Sequence, residues 1–136
     1  ILLAELIAEY KEISGITISG GEPLLQAKAL TILLRRLLLL RPDLNVLLFT
    51  GYEYKNIHSE RAKHLLALTD VIVAGPYIDE LNNNKGLRGS TNQEIIFQTD
   101  RMISYKDYFF NQNRTLEFHI RDNEILMVGI PAKNTL

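Results

Sequence analysis

One stretch gathers most of the chemistry this sequence offers. Ile16-Thr17-Ile18-Ser19-Gly20-Gly21-Glu22-Pro23 places a carboxylate directly after two bare peptide units. Three β-branched residues open it, which predicts a strand. Gly20 and Gly21 allow a sharp turn or the close approach of another molecule. Pro23 suits the first turn of a helix. Glu22 can accept hydrogen bonds from a ligand ammonium, and the peptide groups of Gly20 and Gly21 can pair with a ligand carboxylate or amine. That set suits an amino-acid-like ligand better than a phosphate, since the sequence has neither a Walker lysine nor a G-x-G-x-x-G run. On pattern alone, a tight turn with Glu22 complementing a helix dipole is the commoner use of such residues.

Two further segments pair an apolar run with a polar or glycine-bearing end: Phe49-Thr50-Gly51-Tyr52 and Ala74-Gly75-Pro76-Tyr77. If the runs are parallel strands, the three exits line one edge of a sheet, where α/β folds bind ligands. The histidines offer less. His58 and His64 are six apart and do not share a helix face, and His119 lies in an expected hairpin. All three read as solvated or structural. Arg35-Arg36 reads as the wet side of a helix, and Tyr105, Tyr108, Phe109 and Phe110 as local core.

The elements that must position these residues are legible from periodicity. Leu2, Leu3, Leu6, Ile7, Tyr10 and Ile13 follow a helical period, so residues 1–13 read as a helix stopped by Ser14-Gly15. Residues 24–40 read as a leucine-striped helix. Residues 44–49 and 70–74 read as strands covered on both faces, with a helix over 53–68 between them. Strand–helix–strand–helix–strand order implies parallel strands and right-handed crossovers. Asp79 to Ser90 reads as a polar surface loop, followed by a possible strand over 94–98. Residues 116–120 and 125–128 read as a terminal β-hairpin.

With 136 residues, the chain can build one domain with a real core. Hydrophobic residues make up 46% and charged residues 23%, as in ordinary globular proteins. A net charge of −1 argues against a general nucleic-acid binder. With no cysteine, disulfides and thiolate-bound metals are ruled out within these residues. The longest greasy run is too short to span a bilayer. No signal peptide is legible, and a cytoplasmic location is expected, without membrane or nucleic-acid partners. The first residue is Ile1 rather than Met, which suggests a chain cut from a longer one.

Gly15 to Gln26, then Phe49 to Tyr52, then Asp70 to Tyr77, then Arg88-Gly89-Ser90-Thr91-Asn92-Gln93 form an ordered series. It resembles the radical S-adenosylmethionine enzymes, specifically the family of the anaerobic ribonucleotide reductase activating protein and its single-cluster relatives. The resemblance covers about residues 2 to 98. It implies an α/β fold: a partial parallel (βα) barrel of radical S-adenosylmethionine type, truncated at its N-terminus, over residues 1–99. Residues 100–136 would be a C-terminal extension with the β-hairpin.

The resemblance also implies a chemistry. A 4Fe-4S cluster, held by three cysteines in a Cys-x-x-x-Cys-x-x-Cys loop, binds S-adenosylmethionine. Reduction then yields a 5′-deoxyadenosyl radical that takes hydrogen from a glycine of a glycyl-radical enzyme partner. By position, Gly20, Gly21 and Glu22 match the segment at the cofactor's methionine amino group, and Ser19, the residue before it, is counted with the cofactor-binding set. Thr50 matches the next exit, facing the methionyl group or ribose. Asn92 matches a motif on the adenosine side.

The missing cysteine loop is the departure from the pattern. The chain is therefore expected to be an inactive fragment of an oxidoreductase, with an unpaired strand edge that favours self-association. Two alternatives stand beside this reading. One is a cysteine-free binding module for a nucleotide-like ligand or a protein partner, without redox chemistry. The other is a flavodoxin-like domain that binds an anion or flavin.

Overall fold

The computed structural model describes residues 2–133. The elements run α1 (Leu2–Glu9), β1 (Gly15–Ile18), α2 (Ala27–Leu40), β2 (Asn45–Thr50), α3 (Glu60–Leu66), β3 (Val71–Ala74), β4 (Glu94–Phe97), α4 (Lys106–Asn111), β5 (Leu116–Arg121) and β6 (Glu124–Gly129). Short 3-10 turns lie between them, among them Pro23–Gln26 and Asp100–Tyr105.

The first four strands form one sheet in sequence order. β1–β2 and β2–β3 are parallel, with Ile16 beside Val46 and Leu48 beside Ile72. β4 runs antiparallel to β3, placing Ile96 beside Ile72. The chain is thus mixed α/β, and its parallel run is three strands long. Among the described residues no strand pairs with the outer edge of β1.

Alternation along the strands sends every second side chain to one face. Val46, Leu48, Ile72 and Ala74 meet Ala27, Leu34, Leu65 and Leu66 from the helices, forming the main core. Ala4 and Ala8 let α1 pack closely on Leu37 and Leu44 in a second cluster beside it. The opposite face is covered at β4, where Phe97 stacks on Phe109 of α4 with ring centroids 6.1 Å apart. Phe109 is buried, but Tyr105 and Tyr108 are more than half exposed, so the expected aromatic core reduces largely to Phe109.

Two expected helices are shorter than their patterns. The first stops at Glu9 rather than Ile13. Arg41, from the end of α2, takes the carbonyls of Tyr10 (3.0 Å) and Ile13 (3.1 Å), which holds residues 10–13 in a non-helical path. The third begins at Glu60 rather than Glu53, because Ser59 caps it by accepting from the Ala62 amide. Tyr54–Asn56 forms only a 3-10 turn.

One polar residue knots the sheet from within. Asp70 is 4% exposed. Its carboxylate accepts from the Val46 amide (2.7 Å) and the Thr99 hydroxyl (2.7 Å). Its carbonyl accepts from the Gln98 amide. One acid therefore ties β2, β3 and the end of β4 together.

The hairpin pairs Leu116 with Gly129 through to Arg121 with Glu124. One of its faces is wholly apolar: Leu116, Phe118, Ile120, Ile125 and Met127. Ile120 and Ile125 are 73% and 70% exposed, so this face lies outside the core.

Candidate functional site

The parallel strands bring their C-terminal ends to one edge, as their order requires. At the first exit Ser19 is exposed. Gly20 and Gly21 follow with φ of +85° and +55°. A Cβ added at either would meet nothing within 4 Å. The glycines are therefore required by backbone conformation, not by crowding, and they leave two peptide units open to an incoming group.

Glu22 turns back into the protein. One carboxylate oxygen, Oε1, accepts from the Leu24 amide (3.0 Å) and the Thr50 hydroxyl (2.8 Å). The other, Oε2, accepts from the Gly51 amide (2.8 Å). Thr50, 3% exposed, also accepts from the Tyr52 amide (3.2 Å). The carboxylate caps the Pro23–Gln26 turn and clasps the second exit to the first. A carboxylate has about four lone-pair positions, and three are engaged here, so one stays open to a ligand donor.

Asn92 belongs to the third exit. Its amide donates to the Pro76 carbonyl (2.7 Å). Neighbouring Gln93, 9% exposed, accepts from the amides of Gly89 (2.8 Å) and Ser90 (3.2 Å) and donates to the Gly75 carbonyl (2.8 Å). The Ser90 hydroxyl accepts from the Ile78 amide (3.1 Å). The fold thus joins Glu22 with Thr50 directly, while Asn92 fastens a separate loop to β3. Asp70, Ser90 and Gln93 stand in the motif series, yet the sequence alone assigns none of them a role. A lone acid opening an all-apolar strand was a signal for Asp70, but Gln93 shows its role only once residues 75 and 93 meet.

Two cavities flank this edge. One, of about 510 Å³, lies on the sheet face away from α2 and is lined by Thr17, Ser19, Leu47, Phe49, Tyr77 and Ile130 among others. The other, of about 330 Å³, is lined by Leu24, Tyr52, Ile57 and His58 among others. The described residues hold no group of three or more His, Cys, Asp or Glu able to bind a metal ion. His119 pairs with Glu117 on the hairpin (2.7 Å). No described helix is long and apolar enough to cross a membrane.

A parallel α/β sheet with glycine-bearing strand exits along one edge defines a class of domain that takes ligands at those exits. Within that class the chain belongs to the 4Fe-4S single cluster domain family, whose model matches residues 2–96. The chain is also similar to the anaerobic ribonucleoside-triphosphate reductase-activating protein of Enterobacteria phage T4, 32% identical over 90 residues. That match covers 65% of this chain and 56% of the phage protein, so the chain spans little more than half the length of this relative. No solved structure matches the chain.

Proposed function

We propose that this chain forms the S-adenosylmethionine-binding part of a radical activating enzyme that serves an anaerobic ribonucleotide reductase with a glycyl radical. Residues 1–99 would be the partial radical barrel and residues 100–136 an extension. The observation that carries the reading is the open cradle at Gly20 and Gly21, unobstructed where a Cβ would stand. The phage relative's name supports the kind of partner.

The residues fit the methionyl end of the cofactor. The carbonyls at Gly20 and Gly21 and the free lone pair of Glu22 would accept from its ammonium, and the exposed Ser19 hydroxyl would face the bound molecule. Thr50 acts through Glu22, holding the carboxylate at 2.8 Å. Asn92 acts on the exit loop through Pro76. When bound, S-adenosylmethionine supplies the 5′-deoxyadenosyl group with which such enzymes abstract hydrogen.

The residues do not fit the cluster. The sequence has no cysteine, and the described side chains offer no alternative ligand set. The chain's own residues thus bind and orient but carry no redox step. This same observation favours a second reading, a cysteine-free module that binds the nucleotide-like ligand without redox chemistry.

Isothermal titration with S-adenosylmethionine and with S-adenosylhomocysteine tests the binding common to both readings. Saturable heat that is abolished in Gly21→Val is the expected result. A folded sample that takes up neither ligand at millimolar concentration overturns the assignment. Under dithionite the chain alone is expected to form no 5′-deoxyadenosine.

A further inference from the structure

The cavity on the open sheet face has an unusual wall. Val128 and Gly129 at the end of β6 and Ile130 just beyond it line the cavity together with Leu47 and Phe49, so the segment that leaves β6 forms part of its wall. Gly129, at φ +128°, turns this segment off the hairpin. A side chain there would stand 2.5 Å from the Thr115 carbonyl, so the path is fixed at its start.

Among the described residues, the segment beyond Gly129 is tied down at few points. Arg114 Nη1 donates to the Pro131 carbonyl (3.0 Å). Lys133 Nζ pairs with Asp79 Oδ2 (3.1 Å) and donates to the Asp79 carbonyl (3.2 Å). The Lys133 amide donates to the Asn84 side chain. Asp79 is aligned by the Tyr77 hydroxyl (2.8 Å), and Tyr77 is itself part of the cavity wall. The two ends of the segment differ. Arg114 is backed by the carbonyls of Arg88 and Gly89 as well. The Lys133–Asp79 pair is exposed, at 36% and 60%, and exposed pairs are readily broken.

We propose that residues 130–133 are a latched strap over this cavity, anchored where they leave β6 at Gly129 and held at the far end by the Lys133–Asp79 pair as its catch. Opening the catch would further expose Leu47 and Phe49, which are only partly covered with the strap in place, beside the Ser19–Gly20 exit. The strap thereby controls entry to the sheet's open face, whichever ligand the exits take.

These 136 residues hold no cysteine, so a thiol introduced into them is unique. Leu47→Cys in the full chain reports on the cavity through its rate of modification by dithiobis(nitrobenzoate). Lys133→Ala and Asp79→Asn should each raise that rate about two- to fivefold, the range an exposed ion pair can supply. In about 0.5 M salt the parent should approach the variants, since screening weakens the catch. Leu39→Cys, on the outer side of α2 and 79% exposed, should react at one rate in every background. Phe49→Cys, on the same cavity wall and also only partly exposed, repeats the measurement if Leu47→Cys fails to fold. Equal cavity rates with and without Lys133→Ala overturn the strap. Equal acceleration at Leu39→Cys also overturns it, since that marks general loosening.

Discussion

Glu22→Gln distinguishes a carboxylate that serves the fold from one that serves only a ligand. The parent side chain accepts three hydrogen bonds: from Leu24, Thr50 and Gly51. Glutamine keeps one acceptor oxygen, and its amide then turns a donor toward a donor. If the oxygen stays on Leu24 and Thr50, the amide opposes Gly51 N–H. If it flips, the amide opposes the Leu24 N–H instead, while the Thr50 hydroxyl can rotate to accept from it. Hydrogen bonds to a charged group are worth about 1.5–3 kcal/mol each, and the half-exposed site allows water to replace part of that. The expected loss is therefore about 1.5–2 kcal/mol, near the lower end for one such bond. With a urea slope of about 1–3 kcal/mol/M, the unfolding midpoint should fall by roughly 1 M. Thr50→Val removes the partner hydroxyl and should cost about 1–1.5 kcal/mol. The double variant should lose less than the sum, with a coupling of at least about 0.5 kcal/mol. Urea unfolding followed by circular dichroism measures all four proteins. If Glu22→Gln unfolds at the parent's midpoint, the clasp contributes nothing and the carboxylate is held for a ligand alone.

Asp70→Asn should destabilise by about 2–3 kcal/mol, because the amide cannot accept from both Val46 and Thr99; the same urea titration reads it. Leu34→Ala should cost about 2–5 kcal/mol by leaving a cavity in the main core. Ile120→Ser on the hairpin should change stability by less than about 0.5 kcal/mol, since its side chain is mostly exposed. Equal losses at the two sites would show that the hairpin face is covered in the free protein. The Arg41 guanidinium beside Asp43 holds that carboxyl down to about 2, against an ordinary value of 3.8. A lowered carboxylate pKa gives stability that is complete above the unfolded value and disappears as the folded group protonates. The Asp43 contribution should thus be constant above pH 4–5 and fade between roughly pH 4 and 2, and in Asp43→Asn that part of the acid dependence of the melting temperature should vanish.

Much of the sheet and of its site edge was legible from the chain alone. β-branched or nearly all-apolar runs ending in glycine or threonine gave β1, β2 and β3 nearly to the residue. Helical leucine spacing gave α2, and alternation gave the β5–β6 pair. Periodicity suffices there because each element buries a stripe of its own apolar side chains. The register of Gly20, Gly21 and Glu22 at a strand exit followed from the same pattern. Residues 53–59 and 10–13 were misread as helix, because their partners, the Ser59 cap and Arg41, outcompete a weak local propensity.

Tertiary structure alone decided how the polar residues are spent. Sequence makes Glu22 available to a ligand, but Thr50 and Gly51 lie 28 and 29 residues away and reach it only when β1 and β2 pair. Asp70 looks like a strand boundary until Val46, Thr99 and Gln98 converge on it. The cavity on the open face does not exist until Ile130 is laid beside Leu47 and Phe49. Backbone propensity and apolar period are local properties that a sequence carries within a few residues. Hydrogen-bond satisfaction and cavity walls are set by groups distant in the chain, and only the assembled sheet brings those together.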